Sequence, residues 1–282
     1  MTHLLLIDAN NVGFRATAVL PKNELENMNI SNVEHMVKRR MGRESVDTVP
    51  FFVFDEPRCE QIPFDAEISR HEEEDGYKEG RPDPRKDETA FLRAEWMQVW
   101  MARLYSTGKN VIAYPGVEAD DIIAFIAKKV MLDASLSATI WSADKDLLQC
   151  VSDDCSITAL RKSRGKGSEI KFNEKMVFDE KGVPPSKIRM QLSLQGDKAD
   201  GYHGINGYGA KLGLRIINEA NGFDDLIDRV IDDMRKKHKL DDSSAVEERL
   251  RENWRLAGMG ESYMPQNAII RSDRIFTRAL TR

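Results

Sequence analysis

Nine carboxylates carry the clearest chemical signal in this sequence. They fall in five short clusters: Asp8; Asp55; Glu118, Asp120 and Asp121; Asp144 and Asp146; Asp197 and Asp200. Asp8 closes the apolar run LLLI, Asp55 closes FFVF, and Asp144 follows ATIWS. If those runs are strands of one parallel sheet, their acids emerge together at its carboxyl edge, where open α/β sheets bind ligands. Packed carboxylates repel and raise one another's pKa unless cations join them. Hard divalent ions with oxygen ligands, Mg²⁺ or Mn²⁺, are the matching partners, and ions paired roughly 3.5 to 4 Å apart serve phosphodiester hydrolysis. Taken singly, Glu118, Asp120 and Asp121 read better as acids of a first helical turn, favoured there by the helix dipole. The whole set is what favours metal.

The elements that must position these acids follow from periodicity. Strands are expected at Leu4–Ile7, Phe51–Phe54, Val111–Ala113 and Ala138–Trp141, with a short one at Ser156–Leu160. Helices are expected over Val33, Met36 and Val37, over Leu92, Trp96, Val99, Trp100 and Leu104, and from about Glu118 through Ile122, Ile123, Ile126 and Val130. Alternation of strand and helix predicts a mostly parallel sheet flanked by helices. From Glu56 to about Glu88 the apolar pattern lapses into charge, Gly and Pro, an irregular lid or arch. Beyond about Val183 the pattern becomes helical: Pro184–Leu194, a glycine-rich hairpin HGINGYGA, then Lys211–Glu219. The division expected is a core over residues 1–182, including the arch at about 56–90, and a helical region over 183–282. The last residues carry little signal beyond mixed charge.

Bulk properties set bounds on this reading. A chain of 282 residues with 41% hydrophobic and 32% charged residues has enough apolar side chains for a sizeable core. No apolar stretch approaches the roughly 18 residues that span a bilayer, and MTHLLLIDAN lacks a signal peptide's basic flank, so a cytoplasmic protein is expected. Cys59, Cys150 and Cys155 show no metal-binding spacing. The net charge of −5 opposes nucleic-acid binding, but two divalent ions among the acids would offset most of it.

Basic and glycine-rich features complete the set. Gly204, Gly207 and Gly209, followed by Lys211, permit a tight hairpin whose helix-opening amides suit a phosphate, although such hairpins also serve as plain connections. Tyr77, Lys78 and Arg81, in YKEGR, lie in the irregular segment; they are either solvated charges or groups that stabilise charge building on a phosphate. Arg161, Lys162, Arg164 and Lys166 form a second basic stretch, flexible and glycine-containing, read as a nonspecific contact to a nucleic-acid backbone or as a solvated loop.

Together these motifs resemble the flap endonuclease and 5'-nuclease family, especially its compact bacteriophage members and the nuclease domain of bacterial DNA polymerase I. The resemblance runs through LLLIDANNVGFR, FVFDE, YKEGR, GVEADD, SADKD and GDKADGYHGINGYGAK, so it spans most of residues 4–220. It implies a PIN-like α/β core, a helical arch and a helix-three-turn-helix element that grips duplex DNA. On that resemblance Asp8, Asp55, Glu118, Asp120 and Asp121 belong mainly to a first metal site, and Asp144, Asp146, Asp197 and Asp200 to a second. Lys78 and Arg81 would contact the scissile phosphate, and Arg15 would lie near a 5' phosphate. Tyr77, Arg215 and the hairpin would contact DNA, with K⁺ at the hairpin in some relatives. The family reading is a 5'–3' exonuclease and flap endonuclease, acting as a monomer on branched or 5'-ended DNA, with RNA–DNA hybrids and replication proteins as further partners. The sequence departs from the pattern at the acidic run His71–Asp75 within the arch and at Leu212 after Lys211. Two rivals stand beside it: a PIN-type single-strand ribonuclease, which has no need of the hairpin, and a noncatalytic branched-DNA-binding protein.

Overall fold

The structure is a computed structural model and describes residues 1–44, 47–56, 87–162, 169–237 and 243–281. Most of the expected arch, residues 57–86, therefore lies outside the described residues, as do Cys59, Tyr77, Lys78, Arg81 and the acidic run 71–75. The chain separates into two compact units: one holds the described residues up to Asn173 together with Met259 onward, the other Glu174–Gly258.

In the first unit, six strands form a sheet in the order β3-β2-β1-β4-β5-β6. They are β1 (Thr2–Asp8), β2 (Thr48–Glu56), β3 (Asn110–Pro115), β4 (Leu136–Trp141), β5 (Ile157–Lys162) and β6 (Glu169–Phe172). The first five pair in parallel and β6 joins β5 antiparallel. Helices α1 (Ala9–Thr17), α2 (Lys22–Glu26), α3 (Ser31–Met41), α4 (Glu88–Ser106), α5 (Ala119–Met131) and, from the far end of the chain, α11 (Gln266–Leu280) cover it.

Strand residues alternate between faces, so the apolar runs feed two cores. Leu4, Leu6, Phe51 and Val53 pack with α5 and α11, while Leu5, Ile7, Phe52 and Phe54 pack with α1, α3 and α4. A strand buried on both faces reads as a continuous apolar run, which is why LLLI and FFVF are so plain in sequence. Trp96 and Trp100 of α4 are fully buried as expected, whereas Val99 stays exposed and Met101 takes its place in the core.

Three expectations need correction. The antiparallel strand β6 was not foreseen, because its four residues follow a glycine-rich tract with little apolar signal. Arg161 lies in β5, its guanidinium 5.4 Å from the Phe172 ring centroid, and not in a flexible loop; Arg164 and Lys166 lie outside the described residues. The C-terminal stretch, expected to belong with residues 183–282, forms α11 within the first unit, with Phe276 stacked on Phe51 at 6.1 Å between centroids.

The second unit is helical: α6 (Glu174–Lys181), α7 (Ile188–Gln195), α8 (Leu212–Glu219), α9 (Phe223–Lys236) and α10 (Ser243–Leu256), with a two-stranded hairpin of β7 (Gly196–Asp197) and β8 (Tyr202–His203) between α7 and α8. Asn253 of α10 ties it together from a fully buried position, its amide donating to Ser193 O and His203 O, each at 2.9 Å. Among the described residues no helix is long and apolar enough to cross a membrane.

Candidate metal centre

Connectivity reverses at β1, whose neighbours are β2 on one side and β4 on the other. Such a switch point opens a crevice at the carboxyl edge of an open sheet. Asp8 sits there as the last residue of β1 and the N-cap of α1. Its Oδ1 accepts from Asn11 N at 3.0 Å and its Oδ2 from Ser142 Oγ at 2.6 Å, so the residue after β4 grips the acid after β1. Loss of water around this carboxyl pushes its pKa up to about 7, and the negative charge of Asp55 adds to the rise. Asp144 contributes in the same direction.

Asp55, near the end of β2, accepts from Ala119 N at 2.6 Å, at the opening of α5. The same opening carries Glu118 as N-cap and Asp120 and Asp121 in the first turn. Glu118, Asp120 and Asp121 each bring a carboxylate oxygen within 4.8 Å of the other two. Asp121 is almost wholly buried, and its Oδ1 also accepts from Gly260 N at 3.0 Å. Helix capping thus accounts for part of this arrangement, since the dipole favours negative charge at a helix start. It does not account for three acids converging beside Asp55, whose charge also acts on Asp8, since ionised neighbours raise each other's energy. The donor set is entirely carboxylate oxygen, and clustered carboxylates of this kind fit a hard divalent cation.

Asp144 and Asp146 stand on the turn after β4. Asp144 N donates to Ser142 Oγ at 2.9 Å, and Asp146 N donates to Asp144 Oδ1 at 2.8 Å. The backbone therefore turns between the two acids. In the second unit Asp197 and Asp200 bring carboxylate oxygens within 4.8 Å of each other. They do so within the β7–β8 hairpin, Asp197 at the end of β7 and Asp200 in the turn that follows, with Asp197 Oδ1 accepting from Ala199 N at 2.9 Å.

The glycines of the hairpin region divide by role. At Gly204 a Cβ would lie 2.2 Å from Gln195 backbone C, so that position is needed for close passage of two backbones. Gly207, at φ +93°, a conformation that glycine adopts without strain, and Gly209 face open space. Lys211 and Arg215 are exposed on and beside the start of α8. Tyr208, overlooked in the sequence, anchors the hairpin by donating from its hydroxyl to Asp233 Oδ2 at 2.7 Å; burial and that carboxylate push its pKa up. Arg15 does not stand free: its Nη2 donates to Glu169 Oε1 at 3.0 Å.

Sequence reasoning also missed Asn10, Asn11 and Ser142. Asn10 Oδ1 accepts from Asp55 N and Asn11 Oδ1 from Ala143 N, both at 3.0 Å. Together with Ser142 they brace the acids of three strands. Their only signal was adjacency to Asp8 and Asp144.

Residues 3–183 match the family described as "5'-3' exonuclease, N-terminal resolvase-like domain". The chain belongs to that family. The motifs had pointed to it, and related sequences agree. A 5'-3' exonuclease of Aquifex aeolicus is 31% identical over 176 residues, 61% of this chain and 56% of that protein. DNA polymerase I of Borreliella burgdorferi is 29% identical over 243 residues, 85% of this chain and 25% of the polymerase. The chain thus spans little more than half the length of the first of these relatives and a quarter of the second. Its fold is that of T5 5'-exonuclease with zinc ions bound, with TM-score 0.70 at 19% identity over 98% of this chain and 99% of that one. A further structure, the T5 D15 protein co-crystallised with metal ions, gives TM-score 0.72 at 18% identity.

Proposed function

We propose that the chain is a divalent-metal-dependent, structure-specific 5' nuclease that cleaves branched or 5'-ended DNA to leave a 5'-phosphate and a 3'-hydroxyl. The observation that carries it is the convergence of Glu118, Asp120 and Asp121 beside Asp55, whose charge acts on Asp8 at the switch point of an exonuclease-family sheet. Mg²⁺ or Mn²⁺ bound there supplies the Lewis acidity that ionises water near neutral pH and offsets charge on the phosphodiester. The chain's own residues hold and orient: these five acids take one ion, and Asp144 and Asp146 with Asp197 and Asp200 take a second. Ser142 and Asn11 keep the Asp8 carboxylate turned toward the centre. Lys78 and Arg81 stabilise negative charge on the scissile phosphate. Tyr77 and Arg15 contact the strand, and Gly207, Gly209, Lys211 and Arg215 hold duplex backbone, with Gly204 shaping the hairpin and K⁺ bound at it. The enzyme acts as a monomer in the cytoplasm, accepts RNA primers annealed to DNA and works beside replication proteins.

A 5'-labelled flap DNA and a matched single-stranded RNA, each incubated with Mg²⁺ and with EDTA, test this. Cleavage of the flap alone, and only with Mg²⁺, is expected. Preferential cleavage of the RNA would mark a PIN-type ribonuclease, and binding without cleavage a noncatalytic protein.

A further inference from the structure

We propose that α1, α3 and the edge of the sheet enclose a binding cavity for a phosphomonoester, built from arginines that the metal centre does not use. The cavity has a volume of about 320 Å³, and no carboxylate of the metal centre lines it. Met36, Arg39, Arg40 and Arg43 all face it. Their spacing places them on one face of α3 and its continuing turn, where Arg43 N donates to Arg40 O.

Basic residues at a helix end are ordinary, because they complement the dipole. That accounts for exposed Arg39 and Arg43 but not for Arg40, which is only 7% exposed. Arg40 pairs with Glu44 and lies 3.7 Å from Glu169 Oε2. Glu169 in turn is held through Oε1 by Arg15 at 3.0 Å and by Trp141 Nε1 at 2.8 Å. Even so, Arg40 Nε and Arg15 Nη1 are sealed from solvent and meet no hydrogen-bond acceptor among the described residues. Buried donors left this way are uncommon in a finished protein, and each such group calls for an explanation.

The charges point to the ligand. Glu44 and Glu169 answer Arg40 and Arg15, while Arg39 and Arg43 have no carboxylate within ion-pair distance among the described residues. Two uncompensated guanidinium charges match a phosphomonoester, which carries about −1.5 to −2 at neutral pH. Guanidinium forks fit phosphate oxygens in pairs. The volume falls at the lower end of small-ligand pockets, roughly 300–1,000 Å³, so a phosphate with an attached sugar has room. Two sources present this group: free phosphate or a mononucleotide, and the phosphorylated end of a strand.

Calorimetric titration of the full chain in EDTA tests the cavity, using inorganic phosphate, a nucleoside 5'-monophosphate, and an oligonucleotide with and without a terminal phosphate. Binding of phosphate and mononucleotide supports the site with a free source; binding of the phosphorylated oligonucleotide alone supports it with a strand end. The exposed pair Arg39→Ala and Arg43→Ala, whose removal leaves the core intact, is expected to weaken that binding at least about tenfold. Arg40→Gln is expected to weaken it further. The proposal is overturned if no phosphomonoester binds, or if the Arg39→Ala, Arg43→Ala chain binds phosphate and the mononucleotide as well as the parent. The strand-end source rests on the proposed nuclease function, through Arg15; because metal is chelated and no cleavage is read, loss of phosphate binding and loss of nuclease activity are distinguished.

Discussion

A few side chains decide whether the acids work as a set. Ser142 donates to Asp8 from the neighbouring strand's end and simultaneously accepts from Asp144 N, so one hydroxyl couples two of the clusters. Residues that orient metal ligands in this way typically contribute about 10- to 100-fold to metal affinity or activity. Ser142→Ala is therefore expected to raise the Mg²⁺ concentration needed for half-maximal cleavage by about that factor with the fold retained; an unchanged Mg²⁺ dependence would show that Asp8 needs no such brace. Asp146→Asn and Asp200→Asn are expected to slow flap cleavage greatly while leaving DNA affinity, measured by gel shift in EDTA, near that of the parent.

At the scale of elements, β1 is joined to β4 at both ends by polar contacts. His3, at the start of β1, hydrogen-bonds Ser137 Oγ at 2.9 Å and Thr139 Oγ1 at 3.0 Å. Burial lowers its pKa below the usual 6.5; Glu44 opposes that shift, and Lys171 and Arg40 reinforce it. The unfolded chain thus takes up this proton at a higher pH than the folded one, so stability falls as pH drops through about 6.5 toward the lower folded value. Thermal unfolding between about pH 7 and pH 5 is expected to show that loss, and His3→Gln to reduce it; an identical pH slope in the variant would remove His3 from the account. Helix α11 makes an independent prediction. Phe276→Ala, which empties a site against Phe51 and β3, is expected to cost about 3–5 kcal/mol in denaturant unfolding. A cost under about 1 kcal/mol would mean that α11 is a loosely attached appendage.

Across the whole molecule, what the sequence disclosed followed the strength of its physical signals. Strands buried on two faces left continuous apolar runs, and the acids that close them were legible because each ended such a run. The helix α5 announced itself by Ile122, Ile123, Ile126 and Val130 after an acidic start. Helix α11 did not, because most of its buried residues, Ala268, Ser272 and Ala279, are small and interspersed with arginines. Strand β6 was hidden by its shortness. Among the candidate site's residues the clustered carboxylates were visible, but Asn10, Asn11 and Ser142 were not, since one polar side chain beside an acid has no periodicity to betray it. The basic face of α3 was equally hidden: its helix was expected, yet only the packing of Arg40 against Glu44 and Glu169 distinguishes it from a solvated helix end.

The proposed nuclease chemistry requires these carboxylates to hold divalent ions. Calorimetric titration of the parent chain and of Asp120→Asn with Mn²⁺, in the absence of DNA, tests it most directly. Saturable binding by the parent, with the site that includes Asp120 lost or sharply weakened in the variant, is the predicted result. Equal Mn²⁺ binding by both chains, or none by the parent, would contradict it.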